Sequence, residues 1–151
     1  MKKKILYLAS FDEKVVADIK WALENLLVNF EFEVVRTLSQ LAEVLFEEEK
    51  KIAAIILDLF LSSVYDLASI GKPEVKTING TYAGFAILEH FLRRKNSSYK
   101  NIPVLILTAK LLTQDEKELI QKLKADKVEY IELFGPGWRK RLKKFINRLS
   151  L

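Results

Sequence analysis

The most hydrophobic run of the chain is Ile-Ala-Ala-Ile-Ile-Leu at residues 52–57, and an acid, Asp58, follows it directly. The run is too short for a typical helix and rich in isoleucine, so it predicts a central strand that is buried on both faces. A carboxylate at the end of such a strand is costly to hold unless another group uses or neutralises it. Asp58 is therefore either a functional acid or a carboxylate that caps a loop or pairs with a lysine, and this residue alone favours neither interpretation.

Similar short apolar runs alternate with segments of helical spacing along the rest of the chain. The predicted strands cover residues 5–8, 30–35, 52–57, 104–107 and 128–133. Apolar residues at three- and four-residue spacings predict helices whose apolar stripes begin at Val15, Leu38, Phe85, Leu119 and Trp138. These alternating β-α units predict an α/β fold, in which a five-stranded parallel, doubly wound sheet carries helices on both faces.

In a sheet of this kind, ligands bind at the carboxyl ends of the strands. The residues that follow the predicted strands at this edge are 9–13, 58–61, 108–110 and 133–135, so the chemistry is expected among them. The stretch of residues 62–82 shows no sustained period and predicts a loop. We therefore expect residues 1–151 to form a single domain with a long insertion at about residues 62–82.

The composition excludes several classes of protein. Apolar residues make up 50% of the chain and charged residues 30%, which suits a packed globule. The chain has no cysteine, which excludes disulfide frameworks, thiolate zinc sites and cysteine nucleophiles. No apolar run approaches the ~20 residues that cross a bilayer, so we expect no transmembrane segment. The lack of cysteine fits a reducing cytoplasm, where we expect the protein to be located. No nucleophile has a base beside it, so we expect a protein that is not an enzyme.

The chain resembles the receiver domains of bacterial response regulators along its whole length. AIILDL at residues 54–59 is similar to the strand that bears the phosphorylated aspartate, and IPVLILTA at residues 102–109 is similar to the strand that bears the switch threonine. GFAIL at residues 84–88 and the segment around Tyr130 are similar to the third helix and the fifth strand of that family. The resemblance implies the flavodoxin-like strand order 2-1-3-4-5.

The resemblance also implies roles for individual residues. Asp58 is the implied phosphoacceptor in a phosphoryl transfer from a histidine kinase, and Thr108 and Tyr130 are the implied switch residues. A Mg²⁺ ion would be held by Asp58, by an acid after the first strand and by the main-chain carbonyl of Phe60. The implied partner is a histidine kinase or another signalling protein. A homodimer through the face of the fourth helix, fifth strand and fifth helix is a further expectation.

The chain differs from the family at positions where the family has charged residues. The acid-pair positions after the first strand hold Ala9 and Ser10, and neither residue offers a carboxylate. Asp12 and Glu13 follow closely and become the candidate metal ligands, which weakens the expectation of bound Mg²⁺. The lysine position after the fifth strand holds Leu133, which supplies no charge to a phosphoryl group.

We therefore expect an atypical, stand-alone receiver in phosphorelay signalling that acts through protein–protein interaction. Of two versions, we narrowly favour the one that works without phosphorylation. The other retains phosphotransfer to Asp58, with Asp12 or Glu13 as the metal ligand and Thr108 and Tyr130 as the switch.

The last predicted helix is strongly basic in a chain of net charge +5. It carries cations and no acid over residues 139–148, and such a run is usually a solvated helix face. The alternative function is that this helix docks on nucleic acid or on an anionic membrane, with nucleic acid disfavoured as a partner. Trp21 and Trp138 lie on helical stripes, which predicts that they are core residues or interface anchors. The cations are Arg139, Lys140, Arg141, Lys143, Lys144 and Arg148.

Overall fold

The computed structural model of the chain describes residues 4–10, 12–24, 26, 30–36, 40, 41, 43, 44, 52–58, 66, 67, 72–76, 102–108, 114–123, 128–133 and 135–149. The five strands that the sequence predicts are present in these ranges, together with three helices and two further short strands. The strands are β1 (Lys4–Ala9), β2 (Phe30–Val35), β3 (Ile52–Asp58), β4 (Asp66–Leu67), β5 (Lys72–Lys76), β6 (Val104–Thr108) and β7 (Val128–Glu132). The helices are α1 (Glu13–Leu23), α2 (Gln114–Leu123) and α3 (Trp138–Leu149).

Five of the strands form one parallel sheet in the order β2-β1-β3-β6-β7. This order is the predicted 2-1-3-4-5 arrangement, so the predicted fold class is confirmed. The register places Asp58 opposite Leu107 of β6, and it places Thr108 opposite Glu132 of β7. The carboxyl ends of the central strands therefore meet at one edge of the sheet.

One face of the sheet is covered by α1 and α3. The α1 side chains that enter this core are the predicted stripe of Val15, Val16, Ile19 and Leu23. Alternate residues of the strands meet them because side chains in a strand point to opposite faces with a period of two. The strand members of this core are Leu6, Leu8, Phe30, Ala54, Ile56, Leu105, Leu107 and Ile131, and α3 adds Trp138, Leu142, Phe145 and Ile146.

The opposite face of the sheet is buried as well. Ile5, Tyr7, Ile55 and Ile106, which point away from α1 and α3, are all buried. Burial on both faces explains why β3 and β6 read as unbroken apolar runs rather than as alternating ones.

The predicted loop at residues 62–82 contains regular structure. β4 and β5 form an antiparallel pair within it, in which Asp66 lies opposite Lys76 and Leu67 opposite Lys72. The expectation of a loop was therefore wrong for these residues. β4 has two residues, which is too few for a periodic signal, and β5 contains Pro73, a residue that argues against a strand. The third predicted helix, at Phe85, lies outside the described residues.

Candidate functional site at the carboxyl edge of the sheet

Asp58 is the last residue of β3, the central strand of the sheet. Only 8% of its surface is exposed, and it is one of three buried polar residues in the described part of the chain, with Ser10 and Thr108. All three lie at the carboxyl ends of neighbouring strands, where the sequence predicts the chemistry. This edge of the sheet is therefore the candidate functional site.

Ser10 binds Asp58 directly. The Ser10 hydroxyl donates a hydrogen bond of 2.7 Å to Oδ2 of Asp58, and Ser10 itself is fully buried. The residue follows β1 and is fixed there because its backbone N–H donates to the Val35 carbonyl at 2.9 Å. A hydrogen bond to a buried charged acceptor is worth about 1.5–3 kcal/mol, so this contact stabilises the carboxylate inside the protein.

Asp12 and Glu13 are directed to other partners. Oδ1 of Asp12 accepts the backbone N–H groups of Lys14 at 2.9 Å and Val15 at 3.3 Å, which makes Asp12 the N-cap of α1. Glu13 is largely exposed and forms an ion pair with Arg36. None of the described contacts of these two acids is with Asp58. The backbone N–H of Asp12 instead donates to Oγ of Ser10 at 3.3 Å.

Thr108 and Leu133 are joined through the backbone at the next two strand ends. Thr108 is the last residue of β6 and is buried, and its carbonyl accepts the backbone N–H of Leu133 at 2.7 Å. Leu133 follows β7 and belongs to the core that α1 and α3 cover. The side chain at the expected lysine position is thus packed with apolar neighbours.

Tyr130 lies inside β7, opposite Ile106, and is half-buried. The guanidinium of Arg141, from α3, lies 5.6 Å from the centre of its ring and donates a hydrogen bond of 2.8 Å to its carbonyl. These contacts place the predicted aromatic switch residue against α3, on the edge strand of the sheet. Phe60, the predicted carbonyl ligand, lies outside the described residues.

The described residues around Asp58 offer few oxygen ligands for a Mg²⁺ ion. The ion is usually bound through one or two carboxylates, and it retains several waters. The described residues supply one carboxylate, Asp58, with the Ser10 hydroxyl donating to it. No group of three or more acidic or histidine side chains that could hold a metal occurs in the described part of the chain. A Mg²⁺ ion here would be held by Asp58 with water, and by Asp12 or Glu13 only after those side chains change partners.

Substitutions of Asp12 separate helix capping from metal binding. Asp12→Ala is expected to lower the free energy of unfolding by about 1 kcal/mol, because the first turn of α1 loses its capping carboxylate. Asp12→Asn retains a good capping side chain without the charge, so it should stay within a few tenths of a kcal/mol of the wild type. Urea unfolding measures both. If Asp12→Asn abolished a magnesium-dependent stabilisation of the wild type, Asp12 would be a metal ligand.

Removal of the Ser10 hydroxyl is expected to destabilise the protein through Asp58. Ser10→Ala should lower the free energy of unfolding by about 1–3 kcal/mol, because Oδ2 of Asp58 loses a buried donor. In an Asp58→Asn background the same substitution should cost less, since the acceptor is then neutral. Denaturant unfolding of the two single variants and the double variant measures this coupling. Equal losses in both backgrounds would mean that the two side chains do not interact.

The Ser10 contact was not anticipated from the sequence, where Ser10 is notable only as a position that lacks the expected acid. The available signal was its place directly after β1, at the same edge as Asp58. A hydroxyl at such a position can satisfy a neighbouring buried carboxylate.

Comparison with known proteins gives a likeness in structure and none in sequence. No protein-family model matches the chain, and no curated protein matches it. A response regulator receiver protein from Pseudoalteromonas atlantica aligns with a TM-score of 0.68 and 12% identity, over 97% of this chain and 96% of that chain. A bacteriophytochrome response regulator aligns with a TM-score of 0.66 and 23% identity, over 99% of this chain and 80% of that chain.

A further solved structure is the receiver domain of a sensor histidine kinase from Pseudomonas aeruginosa, which has a magnesium ion coordinated in its active site cleft. It aligns with a TM-score of 0.63 and 16% identity, over 99% of this chain and 100% of that chain. Identities this low show the fold alone. The chain therefore has the fold of a response regulator receiver domain, as its sequence predicts.

Proposed function

We propose that this chain is a receiver-type signalling module in a phosphorelay, which acts by binding other proteins and does so without a phosphoryl group on Asp58. The partner is another signalling protein, with histidine kinases as the first class to test. The fold supports the signalling role, because the solved structures that share it are receiver domains. The Asp58 site supports the independence from phosphorylation.

The hydrogen bond between Ser10 and Asp58 is the observation that carries this proposal. Phosphoryl transfer depends almost entirely on positioning and on neutralisation of charge around the transferred group. Ser10 stands where the resemblance implies an acid that would recruit a cation, and it places a neutral hydroxyl there. Its hydroxyl donates a hydrogen bond to Oδ2 of the carboxylate.

Leu133 supports the same conclusion at the opposite side of the site. A lysine there would supply a positive charge to the phosphoryl group, whereas Leu133 contributes its side chain to the core. The loss of one fixed electrostatic partner typically lowers a rate by about 10²–10³-fold. Two such losses make Asp58 a poor acceptor.

The second version retains phosphotransfer, with Asp58 as acceptor and Thr108 and Tyr130 as the switch. Magnesium, present in the cleft of the Pseudomonas aeruginosa receiver, would supply neutralising charge when bound. In this chain Asp58 would hold it, with Asp12, Glu13 or the Phe60 carbonyl as further candidates. The buried hydroxyl of Thr108, at the end of the strand next to β3, favours this version because it lies on the correct edge of the sheet.

Intact mass measurement separates the two versions. The wild type is incubated with acetyl phosphate and Mg²⁺, beside Asp58→Asn as the matched control. We expect no added phosphoryl group on either protein. An added phosphoryl group on the wild type that is absent from Asp58→Asn would instead establish Asp58 as an acceptor and support the second version.

The groove between β7 and α3 is the surface that we propose for a protein partner or for a second copy of the chain. It has a volume of about 470 Å³ and includes Tyr130 and Arg141 in its walls. If a partner protein is isolated with the wild type, Arg141→Glu should abolish its binding, because the substitution reverses the charge of one wall of the groove. Asp58→Asn should leave this binding unchanged. A partner lost with Asp58→Asn and retained with Arg141→Glu would contradict this assignment.

A further inference from the structure

The two tryptophans of the chain have different surroundings. Trp138, at the start of α3, belongs to the core and is 8% exposed. Trp21, in the last turn of α1, is 64% exposed, which makes it the one exposed large hydrophobic side chain in the described ranges. The sequence predicts that each tryptophan is a core residue or an interface anchor. Trp138 is a core residue, and Trp21 is therefore the candidate anchor. Because an indole offers a large apolar area and a polar N–H, an exposed tryptophan can anchor a protein at a boundary between apolar and wet surroundings.

Arg139 fixes this indole in place. Its guanidinium lies 4.8 Å from the centre of the Trp21 ring and 5.0 Å from the centre of the Trp138 ring. Both distances are within the range of a cation–π interaction. Trp21 is therefore joined through Arg139 to a core residue, and a positive charge lies directly beside the exposed indole.

The outer surface of α3 continues this positive charge. The apolar side of the helix is committed to the core through Trp138, Leu142, Phe145 and Ile146. Its cations are exposed and no acid lies among them in the sequence. The neighbouring α1 and its C-cap instead carry charges of both signs, at Glu13, Lys14, Asp18, Lys20 and Glu24. The exposed cations of α3 are Arg139, Lys140, Arg141, Lys143, Lys144 and Arg148, of which Arg148 forms an ion pair with Glu129 of β7.

We propose that Trp21 and the outer surface of α3 dock the protein reversibly on an anionic membrane surface. The cations would contact lipid headgroup phosphates, and the Trp21 indole would lie at the level of the headgroups, where tryptophan is enriched in membrane proteins. None of the described helices is long and apolar enough to span a bilayer. The proposal goes beyond the signalling function and does not involve Asp58.

The composition of this patch favours a membrane over other polyanions. A single strand of nucleic acid is typically held by several aromatic side chains in a charged groove. The patch offers one accessible indole, since Trp138 is buried. A protein interface usually has an apolar core of several residues, and Trp21 is the one large exposed apolar side chain in the described part of the molecule. Several cations and a single indole are sufficient for a protein to bind to the surface of an anionic membrane.

Sedimentation with vesicles tests the proposal on the full chain. One set of vesicles is phosphatidylcholine and the other is an equal mixture of phosphatidylcholine and phosphatidylglycerol. We expect binding to the anionic set alone, with weaker binding at high salt because the ions screen the charges. The fluorescence of Trp21 should shift to the blue on binding, and Trp21→Phe should abolish the shift because the remaining Trp138 is buried in the core.

A double variant and a single variant assign the binding to the patch. Lys140→Gln with Lys143→Gln should weaken binding to the anionic vesicles by about 25-fold, since each cation near such a surface contributes about fivefold. Lys4→Gln with Lys117→Gln removes the same net charge from β1 and α2, and it should have little effect. Trp21→Ala should weaken binding by about tenfold through the lost apolar contact. Asp58→Asn should bind as the wild type does, which would show that membrane docking is independent of the Asp58 site.

Three results would overturn the proposal. The first is no binding to anionic vesicles, or equal binding to neutral ones. The second is an equal loss of binding in the two charge-matched double variants, which would indicate an effect of net charge rather than of this patch. The third is that a single-stranded thymidine oligonucleotide binds more tightly than the vesicles, displaces them and quenches Trp21. That result would assign the patch to nucleic acid.

Discussion

Replacement of Ser10 by aspartate is expected to make the stability of the protein depend on magnesium. The Ser10 hydroxyl lies 2.7 Å from Oδ2 of Asp58, so a carboxylate at this position would face a second one. Two such charges about 4 Å apart repel each other by about 4 kcal/mol at an effective dielectric constant of 20. Without metal, Ser10→Asp should therefore lower the free energy of unfolding by about 2–4 kcal/mol. A divalent cation between the carboxylates should restore much of this loss.

Urea unfolding with and without Mg²⁺ measures this effect. At a magnesium concentration about a hundredfold above its Kd, binding should stabilise Ser10→Asp by about 2.7 kcal/mol. Ser10→Asn is the matched control, because it changes size in a similar way without adding charge, and it should show no comparable gain. If Ser10→Asp unfolded at the same urea concentration with and without Mg²⁺, position 10 would not face Asp58 closely enough to share an ion.

Truncation of Leu142 to alanine is expected to have the largest effect on stability. Leu142 is fully buried in the core that α1 and α3 form on one face of the sheet. Leu142→Ala should lower the free energy of unfolding by about 2–5 kcal/mol, through lost apolar contacts and the cavity that remains. Denaturant unfolding measures the loss as a lower midpoint with an unchanged slope.

Asn147→Ala is the control for Leu142→Ala on the same helix. Asn147 is exposed, so its truncation should change the free energy of unfolding by less than about 0.5 kcal/mol. A similar small change for Leu142→Ala would mean that α3 does not pack on the sheet, and the assignment of its basic side to the outer surface would then fail as well.

The five-stranded sheet could be predicted because each of its strands is a local signal. β3 and β6 are buried on both faces, so their sequences are unbroken apolar runs that cannot be mistaken for surface segments. The helix α1 was equally clear, since Val15, Val16, Ile19 and Leu23 repeat at helical spacing. The β4–β5 pair was missed because neither periodicity nor turn chemistry marks strands as short as β4.

The candidate site was only partly predictable. The position of Asp58 at the end of a buried strand follows from the sequence. The hydrogen-bond partner of its carboxylate depends on which side chain after β1 lies next to Asp58 in the fold. Asp12 and Glu13 are near in sequence and charged, yet their carboxylates cap α1 and pair with Arg36. Whether such a carboxylate caps the helix or binds a metal depends on the backbone conformation of the turn, which a single sequence does not reveal.

The exposure of Trp21 also could not be predicted from the sequence. A tryptophan on a helix that carries an apolar stripe is expected to be buried, and Trp138 is. Trp21 instead contacts Arg139 from another helix, a long-range contact that no local spacing encodes.

The contacts of Asp58 can be observed in a high-resolution crystal structure from crystals grown with Mg²⁺. We predict that the Ser10 hydroxyl lies within hydrogen-bond distance of Oδ2 of Asp58 and that Asp12 caps α1. A structure in which Ser10 turns away, and Asp12 or Glu13 shares a magnesium ion with Asp58, would contradict this account.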